Sequence, residues 1–458
     1  MEIANNTQRA SSMSNHNALI STRGELIFCE RQGKAKTIFR TEAEAQACAN
    51  LENSSRPAGR QFAPYYCKSC GGWHLGGRRH FSDGGLLGTA SVLSTRATES
   101  TQWRKYRCGH DGSTGHGYAA EDANALADRR YGHRVQMTGW DNALDGPDRI
   151  VDGVKIQTKY CQSARASVNS AFDDQTGKYR YSGQQLEVPK DQYAEAVKVM
   201  EEKIREGKVD GVTDPAQAKN LVRKGHYTYD QAVKIAKAGN WESLKFDIRN
   251  QAGASATAGA ISAAVTFVSA KHQGSTTKEA FKASGIQAGK TAGKTMVTGV
   301  ATQQFLRTSA GRTTTAVLQK SANKAIDAAM RSGVGRKVVE KTAEGVGKRA
   351  LTGAAARNVL SRTASTNVIT ATAAFAVSAI PDTIRLCTGK ISGKEYGERT
   401  ACNGAGAVGG TGGAWAGAAI GSCISPGIGT AIGGFIGGIA GGIGASAGVS
   451  KLFHRKSA

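Results

Sequence analysis

The chain has 458 residues, as a prior about three domains of ordinary size, with 60 Lys and Arg against 36 Asp and Glu, a net charge of +24. Its 58 glycines, 7 prolines and 6% aromatics exclude a collagen-like or Pro-rich disordered chain and argue against one large aromatic core. The charge points to nucleic acid or an anionic membrane surface. It is uneven: residues 251–458 carry 24 Lys and Arg and 7 Asp and Glu, a net of +17, and the first 250 a net of +7.

Residues 1–24 are polar, lack an apolar secretory segment and read as a disordered N-terminus. Nine cysteines are too sparse for a disulfide framework. A reducing cytoplasm is the expected compartment, where a close cysteine pair is more often a metal site than a disulfide.

Residues 25–76 contain such a pair. Cys67-Lys68-Ser69-Cys70-Gly71-Gly72-Trp73-His74 places two thiols and an imidazole around a tight turn that glycine permits. Cys29, in the strand-like Leu26-Ile27-Phe28-Cys29, is the best fourth ligand, and Thr41-Glu42-Ala43-Glu44 starts a helix between them with a capping signal. The stretch from Tyr65 to His74 resembles small single-knuckle zinc domains of bacterial and phage proteins. A structural Zn²⁺ on Cys29, Cys67, Cys70 and His74 is expected, supplying much of the folding energy; the alternative is free buried cysteines beside a core histidine. Cys48, inside the helix, reads as a packed small hydrophobe. Residues 77–105, rich in Gly, Ser, Thr and Arg, read as a linker.

Residues 106–249 carry the expected chemistry. Gly117 to Ala127 is a strong helix former with Gly132 past its end. Arg134–Thr138, Asp148–Val151 and Val154–Tyr160 read as three strands, the last two joined by the hairpin turn Asp152-Gly153. Gln157 and Lys159 share one face of the third strand; Asp148 can face the same side across the hairpin, and Glu121 can reach the group from the helix. Beyond them lie a strand-like Gln185–Pro189, an amphipathic helix over 190–206, and a helical appendix over 207–249 in which Thr228-Tyr229-Asp230-Gln231 is a capping box and Trp241, Leu244 and Phe246 pack inward. The expectation is an α/β core with a mixed sheet and flanking helices. His110 and His116 read as loop residues.

The order Glu121, Gly146-Pro147-Asp148, Gln157-Thr158-Lys159 resembles the PD-(D/E)XK nuclease superfamily over roughly 45 residues. The resemblance implies a restriction-endonuclease-like fold and a divalent ion, Mg²⁺ or Mn²⁺, held by Asp148, Gln157 and Glu121, with Lys159 orienting the attacking water and stabilising the developing charge. Gln157 stands where the family has an acidic residue, as in the Mrr-type Gln-x-Lys variant, which lowers the charge of the site by one. The plain alternative is an ordinary α/β element with an Asp148–Lys159 surface ion pair.

Residues 250–398 are basic, Ala- and Thr-rich and helical in propensity, suited to anionic lipid or to nucleic acid. Within them, residues 251–270 and 363–381 are uncharged and read as marginal spans or interfacial helices. Residues 399–458 contain no charge between Arg399 and Lys451, and that interval holds 18 glycines. It divides at Ser425-Pro426-Gly427 into two arms of about bilayer length, with glycine ladders at 409, 413, 417 and 421 in the first and at 433, 437, 441 and 434, 438, 442 in the second. The expectation is a glycine-zipper transmembrane hairpin that forms homo-oligomers, with its basic ends Arg399, Lys451, Arg455 and Lys456 cytoplasmic; the alternative is a flexible tail or a buried helical pair. Taken together, the sequence points to a metal-dependent DNA endonuclease tethered at the inner face of the bacterial cytoplasmic membrane and acting on incoming foreign or phage DNA. Two alternatives stay open: a membrane-permeabilising effector whose nuclease-like domain only binds DNA, and an exported antibacterial nuclease toxin.

Overall fold

The computed structural model describes residues 25–29, 34–54, 62–67, 69–77, 91–95, 97–98, 105–106, 115–138, 144–272, 275–347, 352–424 and scattered positions between 433 and 449. The expected disordered N-terminus, His110 and the basic tail at Lys451, Arg455 and Lys456 lie outside them.

A first antiparallel sheet has the order β1 (Glu25–Cys29), β2 (Lys34–Phe39), β4 (Gly72–Gly77), β3 (Phe62–Cys67). Pro64, which cannot donate to a ladder, lies in the edge strand β3. Helix α1 (Glu42–Ser54) joins β2 to β3. It starts as expected: Thr41 Oγ1 accepts from Glu44 N at 3.2 Å and Glu44 Oε2 accepts from Thr41 N at 3.2 Å.

The second sheet has the order β5 (Val135–Met137), β6 (Arg149–Val151), β7 (Val154–Thr158), β8 (Gln185–Val188), β9 (Val222–Lys224). It is mixed: β5, β6 and β7 form an antiparallel meander, whereas β7, β8 and β9 run parallel. The turn between β6 and β7 has positive φ at both Asp152 (49°) and Gly153 (91°), the type I′ signature that Asp-Gly predicts. Helix α2 (Gly115–Arg130) precedes the sheet; α3 (Ala164–Asn169) and α4 (Tyr193–Arg205) lie on the crossovers that make β8 and β9 parallel. One face packs Leu186, Val188 and Val222 against Val168, Val199, Met200 and Ile204. The other packs Tyr160 and Tyr227 against Ala119, Ala120 and Ala123 of α2 and against Ile235 and Phe246. The short α5 (Ala218–Leu221) leads into β9, and α6 (Tyr229–Ala236) carries the full Thr228–Gln231 capping box.

Trp241, expected to pack inward, is 65% exposed, while Phe246 is buried. The reason is that α7 (Trp241–His272) is one uninterrupted helix that starts beside the sheet and continues far beyond it. The boundary expected at 249/250 therefore falls inside a helix. Helix α8 (Thr277–Leu306) returns along α7, where Gly259 lies against Ala288 and Ala292. Then follow α9 (Ser309–Met330), α10 (Gly333–Gly347), α11 (Gly353–Cys387) and α12 (Gly393–Ile424), the last running through the boundary expected at 398/399.

The segment read as a linker differs most. Residues 91–95 and 97–98 are helical, and Ser91, Ser94, Thr95 and Thr98 are buried. Ser91 and Thr95 donate to Asn367 Oδ1 at 3.3 and 3.2 Å, Ser94 to the Thr295 carbonyl at 3.2 Å, and Gln251 Nε2 to Thr98 Oγ1 at 3.3 Å. Gly299 makes room for Gln251: a Cβ there would lie 2.2 Å from its Cδ. Nearby, the fully buried Lys105 donates to Asp122 of α2 at 3.0 Å, and Arg307 forms two 2.7 Å bonds with Asp247 of α7. Small hydroxyl side chains look like loop material in a sequence; here their bonds are made to an amide-rich helical seam.

Among the described residues, two helices are long and apolar enough to cross a membrane: Trp241–Lys271 and Gly353–Cys387. These contain the stretches read as marginal spans; most of the second arm of the glycine-rich hairpin lies outside the described residues. The hairpin's ladders nevertheless meet. A Cβ on Gly409, Gly413 or Gly417 would strike the backbone of Gly441, Gly437 or Gly433 respectively, each at 2.4 Å or less. The first arm's ladder is thereby occupied by the second arm of the same chain. The turn at Ser425-Pro426-Gly427 lies outside the described residues.

Candidate functional site

Two clusters of donor atoms emerge. In the first sheet, Cys29 at the end of β1, Cys67 at the end of β3, Cys70 in the turn and His74 on β4 place one ligand atom each within 4.8 Å of one another, an arrangement able to hold a metal ion. Cys29, Cys67 and His74 are fully buried. Gly71 makes the turn with φ +68°, and Gly72 is needed because a Cβ there would lie 2.6 Å from the Ile38 side chain. His74 Nδ1 lies 2.6 Å from the Thr37 carbonyl; as a donor to it, Nδ1 carries the proton and Nε2 is the ligand atom. Burial pushes the Cys67 thiol up, but N–H groups of Cys70 and Ser69 and the neighbouring thiols outweigh it and leave it below its ordinary value. Burial and the two other sulfurs push Cys70 up to about 12. Three thiols this close cannot all ionise without a cation between them.

The second cluster sits on the mixed sheet. The register Arg149↔Ile156 sets Asp148 opposite Gln157, so Asp148, Gln157 and Lys159 share one face. Asp148 N donates to the Ile156 carbonyl at 2.9 Å, and its Oδ2 accepts from Thr158 N at 2.7 Å. Burial pushes the Asp148 carboxyl up to about 6, against the pull of the Thr158 N–H and of Lys159 and Arg149. Gln157 is 7% exposed, and its Oε1 is buried with no hydrogen-bond partner. An amide oxygen in that state costs stability unless something fills its coordination. The Lys159 ammonium lies 5.3 Å from the centroid of the buried Tyr181 ring. Glu121 is buried on α2, which covers the opposite face of the sheet. The structure thus groups three of the four residues on one face and sets Glu121 on the helix behind them. His116, read as a loop residue, lies in the first turn of α2, where its Nε2 is 3.1 Å from the Tyr160 carbonyl and burial lowers its pKa.

The reverse face holds a network that sequence reasoning missed. Arg149, fully buried, donates to Asp128 of α2 (3.1 and 3.2 Å), to Glu187 of β8 and to Thr158 (3.0 Å); Arg223 of β9 and His226 complete the set at 2.9 Å from Asp128. The Asp128 carboxyl is held down at about 2: burial works against ionisation, and His226, Arg149 and Arg223 outweigh it. Arg149 gave no signal beyond a charge inside a short apolar strand. The network fixes β6, β7 and β8 against α2, and with them the register of the Asp148 face.

The family described as YeeR C-terminal domain matches residues 94–205. The match begins inside the helical segment 91–98 and ends with α4, so it includes every residue of the mixed-sheet cluster and none of the cysteine tetrad. Inner membrane protein YeeR of Escherichia coli (strain K12) is 53% identical over 103 residues, 22% of this chain and 20% of that protein. The chain thus spans about a fifth of the length of the curated relative it matches. No solved structure matches.

Proposed function

We propose that the chain is a metal-dependent DNA endonuclease held at the inner face of the bacterial cytoplasmic membrane. The observation that carries this reading is the face formed by Asp148, Gln157 and Lys159, where a half-buried carboxyl stands opposite an unpartnered buried amide oxygen. Carboxylate and amide oxygens suit Mg²⁺ or Mn²⁺, and Gln157 Oε1 is an acceptor in need of a donor or a cation. Asp148 and Gln157 would hold the ion directly, with water completing its coordination; Glu121, on the helix behind the sheet, is left out of the donor set. A divalent ion bound there would supply neutralisation of phosphodiester charge. Lys159, steadied over Tyr181, orients the attacking water and stabilises negative charge as it develops. A sheet that turns from antiparallel to parallel at β7 agrees with the nuclease resemblance. The cysteine tetrad is read as a structural Zn²⁺ site. Membrane attachment is supported by the length and composition of α7 and α11 and by the similarity to an inner membrane protein.

The test is plasmid cleavage by the full-length protein in detergent with Mg²⁺ or Mn²⁺, beside Asp148→Asn and Lys159→Ala. Nicking that needs the metal and disappears in both variants is expected. Full activity in either variant overturns the assignment. A second reading, in which the membrane region is the effector, is favoured by the backbone contact of the glycine ladders. Dye leakage from liposomes caused equally by wild type and Lys159→Ala, with no cleavage by either, would select it.

A further inference from the structure

Beside the Asp148 face lies an arginine that the reading above does not use. Arg180 donates from Nη2 to Asp145 Oδ1 at 2.6 Å, and both side chains are about one-third exposed, at 32% and 38%. Its guanidinium carbon lies 5.8 Å from the centroid of Tyr181, the same ring that carries the Lys159 ammonium at 5.3 Å. Two cations from different segments are thus set against one buried aromatic ring, one of them Lys159, which shares its face of the sheet with Asp148 and Gln157.

The backbone around this pair is built rather than incidental. Arg180 N donates to the Ala171 carbonyl at 3.0 Å, next to the bridge between Phe172 and Tyr179. The turn from Tyr181 to Gln184 closes with a 3.0 Å bond and a left-handed Gly183 (φ +71°). From that turn Gln184, itself 8% exposed, donates to the Asp145 carbonyl at 2.7 Å while its Oε1 is buried with no partner. Asp145 adopts φ +55°, a conformation that non-glycine residues hold only when their surroundings impose it. Every one of these residues lies within the 94–205 match.

We propose that Arg180 forms a phosphodiester-binding subsite beside the Asp148–Gln157–Lys159 face, and that Asp145 occupies Arg180 until nucleic acid replaces it. The identity of the ligand rests on the nuclease reading. A planar guanidinium matches two phosphate oxygens in one plane, and an ion pair about one-third exposed is modestly held, so a phosphate displaces the Asp145 carboxylate. Lys159 then serves the scissile phosphate and Arg180 a neighbouring one.

The experiment measures binding of a short fluorescein-labelled DNA duplex by the full-length protein in detergent, with Ca²⁺ in place of Mg²⁺, across about 50 to 200 mM salt. Arg180→Gln is expected to weaken binding roughly tenfold and to make the slope of log K against log salt shallower by about 0.9, one phosphate contact. Asp145→Asn is expected to tighten binding about two- to fivefold, and Arg180→Lys to keep the slope while losing part of the affinity. A wild-type slope and affinity in Arg180→Gln overturns the proposal, as does weaker binding in Asp145→Asn. Should Arg180→Gln fail to melt as a folded protein, the other two variants decide by the same criteria. A duplex RNA of the same sequence, run in parallel, reads which nucleic acid the subsite prefers. Loss of binding to anionic phospholipid vesicles in Arg180→Gln with an unchanged DNA isotherm assigns the arginine to lipid and overturns the proposal. Absence of cleavage in the wild type, with an Arg180-dependent DNA slope, defeats the nuclease reading and leaves the subsite standing; cleavage with a slope indifferent to Arg180 does the reverse.

Discussion

The knuckle at Cys67–His74 and the strand pair at Asp148–Lys159 both gather ion-binding atoms, yet they stand in opposite relation to their own folds. The tetrad draws its donors from three strands and a turn of a four-stranded sheet, and three of its four side chains are fully buried. It is closed, and the strands meet where the donors meet. The mixed-sheet cluster has two oxygen donors on one face, one of them unpartnered, and its register is fixed from behind by the Arg149 network. An ion in the first position would be part of the fold; an ion in the second would be part of a reaction. That contrast separates structural from catalytic metal sites in general.

The comparison can be broken most decisively at the tetrad. Chelation, or Cys67→Ser, should unfold residues 25–77, because structural zinc contributes about 10 kcal/mol or more in small domains. Limited proteolysis together with one metal ion per chain by elemental analysis checks it, and a protease-resistant module without metal would end the structural reading. Asp148→Asn and Lys159→Ala should lower cleavage by a factor of about 10² to 10³ or more while the melting temperature stays near that of the wild type.

The network behind the sheet provides the next test. Arg149→Met should cost about 3 kcal/mol, because it removes the one fully buried cation shared by Asp128 and Glu187 and leaves them only the partly exposed Arg223 and His226. Arg165→Met, which breaks the exposed pair with Glu202, should cost about 1 kcal/mol or less. Urea unfolding of both variants measures the difference.

The pH dependence is smaller. The Asp148 carboxyl, raised to about 6 from 3.8, favours its protonated form in the folded chain. Without metal, stability should therefore fall as pH rises from about 4 to about 6, and Asp148→Asn should lack that slope. With metal, affinity should drop about tenfold per pH unit below 6, because a proton must leave for the ion to bind. Calorimetric titration with Mn²⁺ at several pH values reads this, and a flat profile would remove Asp148 from the donor set.

Local signals made much of the sheet region legible. The Asp152-Gly153 turn, the Thr228 capping box and the alternation that puts Gln157 and Lys159 on one face each depend on a few neighbouring residues. The four cysteine and histidine positions were legible for the same reason, since spacing fixes three of them. Strand β9 escaped because three residues, Val222-Arg223-Lys224, carry no period. The 91–98 segment escaped because the distant partners of its hydroxyls lie some 150 to 280 residues away in the chain. The burial of Arg149 escaped because nothing local distinguishes a buried cation from a solvated one.

Helix α7 begins at Trp241 beside the mixed sheet and does not stop until His272, about 48 Å later at helical rise. A domain joined to an apolar helix in this way has no swivel. Where α7 is anchored in a bilayer, the sheet travels with it as a flag does with its pole, at a set height and a set bearing. The Asp148 face would then sweep a thin layer parallel to the membrane, and whatever binds that face would meet it only by passing through that layer.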